Sequence, residues 1–242
     1  MAERDSPTPA SRINSTPLLL DRKRSCWGRL CDTLSMVSHL VAIAFTGYIT
    51  YLAWPFTNLF SWHPIMMSVA FSFLMVEGIL FFSRESTLIP KVNRKGKVGY
   101  HWVTMTTAVI CALIGFTIIF VNKIIHDKSH FKSWHGTIGL VVLIYICLQS
   151  IGGAFHLFPQ FTSKYMKLAD LKLYHATSGL CLFLLVMATM VLALYSNWTQ
   201  KTASDAGWYF LLGCLMYMSL VITNQVTSEY LPRALKKPSS QY

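Results

Sequence analysis

The chain has 242 residues, of which 53% are hydrophobic and only 13% are charged, and its net charge is +11. Soluble domains carry about 25% charged residues, so this composition excludes an ordinary soluble domain and a disordered chain. A nucleic-acid-binding protein is also basic, but here the charges flank long uncharged segments and form no domain of their own.

Six uncharged segments follow one another along the chain, and each is long enough to cross a membrane. A spanning helix needs about 20 mostly apolar residues, and backbone groups in hydrocarbon need partners within the same helix. The sequence therefore predicts an all-α integral membrane protein with six transmembrane helices, of which helices 2–5 form a four-helix bundle. The predicted spans are 34–53, 62–83, 98–122, 133–163, 173–200 and 206–228.

Basic residues are distributed unequally between the two sides of the predicted membrane domain, residues 34–229. Seventeen Lys and Arg residues lie in the predicted disordered tail (residues 1–33), in the C-terminal basic tail (residues 230–242) and in the loops on their side, against four on the other side. The positive-inside rule then places both termini in the cytoplasm, and we expect an endomembrane such as the endoplasmic reticulum or a vesicle. The sequence leaves modification open at three residues, Cys26, Cys31 and Asn197.

Four of the eight histidines occupy equivalent places, within about the first turn of a predicted span: His63, His101, His135 and His175. Because consecutive spans alternate in direction, the starts of spans 2 and 4 share the outer level, and those of spans 3 and 5 share the inner level. The sequence therefore predicts an outer pair, His63 and His135, and an inner pair, His101 and His175. In a core of about 30 Å, the two levels lie roughly 20 Å apart.

Two facing imidazoles in hydrocarbon suit a haem better than a bare metal ion. Zinc requires four ligands, and no Cys, Asp or Glu lies at a matching depth, whereas a porphyrin needs only axial ligands. The motif His-x-Thr-x-Gly begins at His135 and at His175, so that Gly139 and Gly179 lie on the histidine's face and leave room for a flat group. We therefore expect two b-type haems, each held by two histidines.

The positions of the other four histidines do not predict that they hold a haem. His39 has no partner at its depth among the starts of the other spans, whereas His126 and His130 lie in an outer loop and His156 competes for an inner iron-ligating position. Two alternatives stay open from the residues alone. A histidine-dependent metal-ion transporter needs ligands along a continuous path, although the middle of every span is apolar, and a non-catalytic membrane scaffold gives the histidines no role.

Glu77 is the one acidic residue within a predicted span, and polar residues there are candidates for function. It follows His63 by 14 residues, which places it on nearly the same helix face and about 21 Å deeper. It therefore lies near the inner pair. There it either tunes the inner haem or accepts a proton, or it forms an ion pair with Arg84 or with another span.

Four motifs make the chain resemble the cytochrome b561 family, in particular its cytochrome b561 domain-containing members. The resemblance covers residues 34–229 and implies that the four histidines hold two haems. It also implies an ascorbate-dependent transmembrane oxidoreductase, which passes electrons from cytosolic ascorbate to monodehydroascorbate radical or ferric iron across the membrane. The motifs are Ser61–Pro64, Phe131–Gly136, Gly152–Pro159 and Leu173–Gly179.

The resemblance also implies substrate contacts on both sides. On the inner side the basic residues are Arg84, Lys97 and Lys172, and Lys172 stands where better-studied members carry an Arg. A lysine offers a point charge instead of a planar fork. On the outer side we expect the acceptor near Lys132, Ser133 and His130. Membrane lipid surrounds the protein, nucleic acid is not a partner, and the homodimer that family members often form is one assembly that the resemblance allows.

Overall fold

Six helices of the computed structural model are long and apolar enough to cross a membrane. This finding confirms the predicted all-α fold with six transmembrane helices. Four predicted features lie wholly or partly outside the part of the chain that the structure describes: the N-terminal tail through residue 25, Arg84, the end of predicted span 4 from residue 158, and the C-terminal tail from residue 236. The described residues are 26–83, 86–157 and 167–235.

The described residues form eight α-helices, one π-helical turn and one 3₁₀ turn. In chain order these are α1 (Cys26–Ala53), α2 (Leu59–Ser68), the π-helical turn (Val69–Leu74), α3 (Met75–Leu80), α4 (Arg94–Ile125), α5 (Trp134–Ala154), the 3₁₀ turn (Phe155–Leu157), α6 (Leu168–Leu194), α7 (Asn197–Thr202) and α8 (Asp205–Leu235). Span 2 is built from α2, the π-helical turn and α3, whereas spans 1, 3, 4, 5 and 6 lie within α1, α4, α5, α6 and α8.

Several helix ends differ from the ends of the uncharged segments. α1 begins at Cys26, within the predicted tail, and α8 continues to Leu235, beyond the predicted end of the membrane domain. α5 instead ends at Ala154, before the uncharged segment does. The absence of charged residues marks which segments can enter hydrocarbon, whereas backbone hydrogen bonding decides where a helix ends. The end of an uncharged segment and the end of its helix therefore need not coincide.

Spans 2, 3 and 4 each begin at a polar residue whose side chain caps the helix. Asn58, Asn93 and Ser133 accept hydrogen bonds from the backbone N–H three residues later. Such a cap satisfies one of the N–H groups that a helix start leaves without a partner. The capping residues therefore fix where these spans start, and with that the level at which the histidine of each span lies.

Spans that are consecutive in the chain pack side by side from span 1 to span 6, and span 6 returns to contact span 1. In the bundle of spans 2 to 5, span 2 therefore lies diagonally opposite span 4, and span 3 lies diagonally opposite span 5. Diagonal partners run in the same direction, so their starts lie at the same level. Fully buried apolar side chains such as Phe45, Phe183 and Leu215 fill the interior between the helices.

The π-helical turn, Val69–Leu74, interrupts the regular helix of span 2 between His63 and Glu77. A π turn holds more than 3.6 residues, so it rotates everything that follows it relative to a regular α-helix. His63 accordingly reaches span 3, whereas Glu77 reaches span 1. The prediction that these two residues share one face was wrong, because it assumed a regular helix throughout.

Candidate functional site

The four histidines at the starts of spans 2 to 5 form two facing pairs. The ring centroids of His63 and His135 lie 6.3 Å apart, and the ring planes are inclined by 76°. The ring centroids of His101 and His175 lie 6.5 Å apart, with an angle of 84°. Each pair joins two diagonal spans, so the two pairs lie at opposite ends of the bundle.

The spacing within each pair fits one metal centre between the rings. A metal–imidazole bond is about 2 Å long, so two facing nitrogens on one metal lie about 4 Å apart. Each ring centre lies roughly a further 1 Å behind its nitrogen, which brings the expected centroid separation close to the 6.3 and 6.5 Å seen. Within the described residues, no three His, Cys, Asp or Glu side chains gather where a bare ion could bind.

Three of the four rings are oriented by a backbone carbonyl of a neighbouring span. The carbonyl accepts a hydrogen bond from Nδ1 and thereby fixes the ring's angle and its tautomer. Nε2, the other ring nitrogen, is then left without a proton and can bind iron. The bonds are His63 to Gly115 O at 2.9 Å, His101 to Gly78 O at 2.9 Å and His135 to Thr189 O at 3.0 Å.

His175 differs, because a side chain and not a carbonyl faces its Nδ1. The Gln149 Nε2 atom lies 3.2 Å from this nitrogen and donates at 2.7 Å to the His175 carbonyl, while Ser178 Oγ donates to Gln149 Oε1 at 2.8 Å. Binding of iron through Nε2 requires Nδ1 to donate. We therefore expect Gln149 to turn its amide oxygen toward the ring when a haem is held there.

Glycines make room at both levels, in one case for a different reason than predicted. Gly139 lines the cavity beside the outer pair, as the motif predicts. At Gly179, however, an added Cβ would lie 2.9 Å from Gln149 Nε2, so this glycine admits Gln149. A third glycine, Gly153 of span 4, lies against the ring of His175, where an added Cβ would come within 3.1 Å of Cε1.

Gly153→Val is expected to displace the His175 ring and to lower the haem held at the inner level, because its larger side chain needs the space beside Cε1. Gly152→Val is the matched control, since an added Cβ there meets nothing within 4 Å and the cost of valine in the helix is the same. The measurement is haem per protein after purification. Equal haem content in the two variants would contradict a close packing role for Gly153.

A cavity of about 260 Å³ opens beside the outer pair and provides a route to its rings. His130, Lys123 and Ser133 line it together with both outer histidines. Ser133 therefore lines the cavity and also caps span 4. Lys132 is exposed and is not among the lining residues, whereas Lys123, from the end of span 3, was missed because it looked like an ordinary flanking charge.

At the inner end, Lys172 is exposed three residues before His175, and Lys97 is half-buried in the first turn of α4. The ring of His156, which follows span 4, lies 5.1 Å from that of His175. Neither nitrogen of His156 has a hydrogen-bond partner within the described residues. Burial lowers the pKa of His156, and the neighbouring Lys172 ammonium lowers it further, so this ring is neutral at neutral pH.

The two remaining histidines of the spans and loops, His39 and His126, take no part in either pair. His126 is exposed, and its Nδ1 donates to Asn122 O at 2.7 Å. His39 is buried, and its Nδ1 lies 2.8 Å from both carboxylate oxygens of Glu77. The prediction compared His39 only with the starts of the other spans, whereas its partner lies at the end of span 2.

Comparisons with known proteins bear on the site. Residues 62–200, which contain all four paired histidines, match the family model described as eukaryotic cytochrome b561. The chain is 44% identical over 201 residues to the bovine protein named transmembrane reductase CYB561D2, covering 83% of this chain and 90% of that protein. The human protein of that name is 43% identical with the same coverage. The mouse protein named probable transmembrane reductase CYB561D1 is 40% identical over 82% of this chain and 86% of its own length.

Proposed function

Since the chain belongs to the eukaryotic cytochrome b561 family, we propose that it is a transmembrane reductase with two b-type haems. The family implies haem, and the number and the ligands are our assignment: His63 and His135 hold one group, and His101 and His175 the other. The observation that carries this assignment is the pair of centroid separations, 6.3 and 6.5 Å, at opposite ends of one bundle. A metal-ion transporter and a scaffold account for neither the spacing nor the family.

When bound, each haem supplies an iron that gains and loses a single electron. The chain's residues determine what that iron can do. With two histidines holding each iron, no open position would be left on the metal for oxygen or substrate. The carbonyls of Gly115, Gly78 and Thr189 hold the Nδ1 protons and keep the rings turned toward each other. Apolar side chains between the two levels exclude water from the interior.

We assign the donor, cytosolic ascorbate, to the inner end of the bundle. Ascorbate is an anion at neutral pH, and Lys97 and Lys172 lie at the inner end, where Arg84 also falls in the sequence. Clustered positive charge raises the local concentration of an anionic substrate. With both termini in the cytoplasm, a membrane potential that is negative inside favours outward electron movement by about 2.3 kcal/mol per 100 mV.

We assign the acceptor, monodehydroascorbate or ferric iron, to the mouth of the outer cavity. Lys123 and His130 line this cavity with Ser133, and exposed Lys132 lies beside it in the sequence. Lys123 donates from Nζ to the Ser129 carbonyl at 2.9 Å, which holds the loop before span 4 against the end of span 3. An endomembrane location, in which this side faces a lumen, and a homodimer complete the proposal.

The test uses the purified full chain reconstituted into vesicles. We expect a sharp α band of a b-type cytochrome in the reduced-minus-oxidised spectrum, with two haems per chain. Vesicles loaded with ascorbate should reduce a ferric chelate or monodehydroascorbate outside them faster than ascorbate-loaded vesicles without protein. Absence of the band after expression in haem-replete cells would contradict the haem assignment. A normal α band without reduction of either acceptor would contradict only the assignment of ascorbate as donor and of monodehydroascorbate or ferric iron as acceptor.

A further inference from the structure

Three consecutive residues near the end of span 2 are each held by a different helix. We name these three residues the 77–79 junction. Its contacts are the Glu77 carboxylate with His39 Nδ1 of span 1 at 2.8 Å, the Gly78 carbonyl with His101 Nδ1 of span 3 at 2.9 Å, and the Ile79 carbonyl with Gln225 Nε2 of span 6 at 3.3 Å.

The strongest of these contacts is the His39–Glu77 pair. His39 is 7% exposed and Glu77 is 8% exposed. Nδ1 of His39 faces both carboxylate oxygens at 2.8 Å, and Nε2 faces the Ser86 carbonyl at 2.7 Å. Since both ring nitrogens face acceptors, both carry protons and the ring is a cation. A charged, fully hydrogen-bonded pair in a low-dielectric interior is rigid, because removal of either partner leaves an uncompensated buried charge.

The middle contact connects this pair to the inner level. Gly78 follows Glu77 directly, so the peptide unit between them is fixed at one end by the ion pair and leads at the other to the carbonyl that orients His101. The Met105 side chain of span 3 packs against Gly78 here, since a Cβ added at Gly78 would lie 2.7 Å from Met105 Cε. Met105 is one turn after His101 on the same face, so the close approach and the hydrogen bond occur together.

We propose that His39 and Glu77 are positioning residues for the inner haem: they fix the Gly78 carbonyl so that it orients His101 and sets the reduction potential of that haem relative to the outer one. This inference rests on the proposed function. A strong hydrogen bond to Nδ1 makes an imidazole a better electron donor to iron and favours the ferric state. The outer rings also bond to backbone carbonyls, those of Gly115 and Thr189. Among the described contacts, however, only the Gly78 carbonyl directly follows a residue of a buried ion pair.

Glu77→Gln tests the proposal in the full-length protein in vesicles, by redox titration of both haems and by the low-spin EPR signal of each ferric haem. The inner haem is identified as the one that His175→Ala removes. We expect the reduced form of the inner haem to be favoured about tenfold, which is a rise of about 59 mV for one electron. Its EPR signal should shift with the ring orientation, and both properties of the outer haem should stay unchanged.

Thr46→Val is the matched control. The Thr46 hydroxyl lies 3.2 Å from that of Ser72, so this contact joins the same two spans as the ion pair but lies outside the 77–79 junction. We expect Thr46→Val to leave both potentials and both EPR signals unchanged. A shift of the inner haem in this control as large as that in Glu77→Gln would overturn the proposal, because it would show general loosening of spans 1 and 2.

Two further outcomes separate this inference from the function on which it rests. A wild-type protein that binds two haems, with an inner haem unaffected in Glu77→Gln and in His39→Gln, would overturn the positioning role alone. Equal shifts of the inner and outer haems would also overturn it. A wild-type protein without haem would overturn the proposed function itself. Gln keeps the shape of Glu77 and can still accept from His39, so Glu77→Gln is chosen over a truncation.

Discussion

His135→Ala is expected to lower the haem content from two per chain to one. The outer haem would then be held by His63 alone, in a cavity that is already partly open, and a b-type haem has no covalent attachment to retain it. The inner pair lies at the other end of the bundle and should be unaffected. The measurement is haem per protein together with the α band, and reduction of the external acceptor should fall to the rate of protein-free vesicles.

The control for this variant is His156→Ala. His156 is the nearest competitor for a place as ligand, since its ring lies 5.1 Å from that of His175. Its nitrogens have no hydrogen-bond partner in the described part of the chain, so its removal leaves no polar group unsatisfied there. Haem content should therefore stay at two per chain. A loss of haem in His156→Ala with none in His135→Ala would show that both ligand pairs are wrongly assigned.

Lys172→Glu is expected to raise the KM for ascorbate about tenfold, which corresponds to about 1.4 kcal/mol of binding free energy. Lys172 is exposed at the inner end, so reversal of its charge should act mainly through repulsion of the anionic donor. The measurement is the initial rate of haem reduction by ascorbate at several concentrations. The effect should shrink as salt is added, because exposed charges are screened.

Lys201→Glu is the control for the donor site. Lys201 is also exposed, but it lies between spans 5 and 6 at the outer end of the bundle. The substitution Lys201→Glu changes the net charge of the chain by the same amount as Lys172→Glu. We therefore expect an unchanged KM for ascorbate. An equal rise in KM for both variants would show that the donor responds to the net charge of the protein and not to an inner site.

The parts of the molecule that could be predicted from sequence are those that depend on one helix at a time. Uncharged runs decide which residues can enter hydrocarbon, so the six spans could be found without any knowledge of how they pack. The level of each histidine could also be found, because consecutive spans must alternate in direction. The facing of His63 with His135, and of His101 with His175, depends on those levels and on the diagonal arrangement of the spans.

The parts that could not be predicted depend on how two helices are rotated relative to each other. The π-helical turn changed the face on which Glu77 lies, and nothing in Val69–Leu74, which is apolar except for Ser72, marks such a turn. The pairing of His39 with Glu77 and the contact of Gln149 with His175 need positions on two spans at once. Gly153 lies in the motif Gly152–Pro159, which marked it as a candidate, but its contact with the His175 ring could not be inferred from the sequence.

The group that faces Nδ1 of each paired histidine determines whether a point mutation of that group can change the orientation of the ring. Backbone carbonyls orient His63, His101 and His135, and a carbonyl is present whatever side chain the gene encodes at that position. His175 is faced by the side chain of Gln149, which a single codon change can replace. A point mutation of the accepting side chain can therefore change the hydrogen bond to a histidine, and with it the reduction potential, at the inner level. At the outer level both accepting groups are backbone carbonyls, which a change of side chain does not remove.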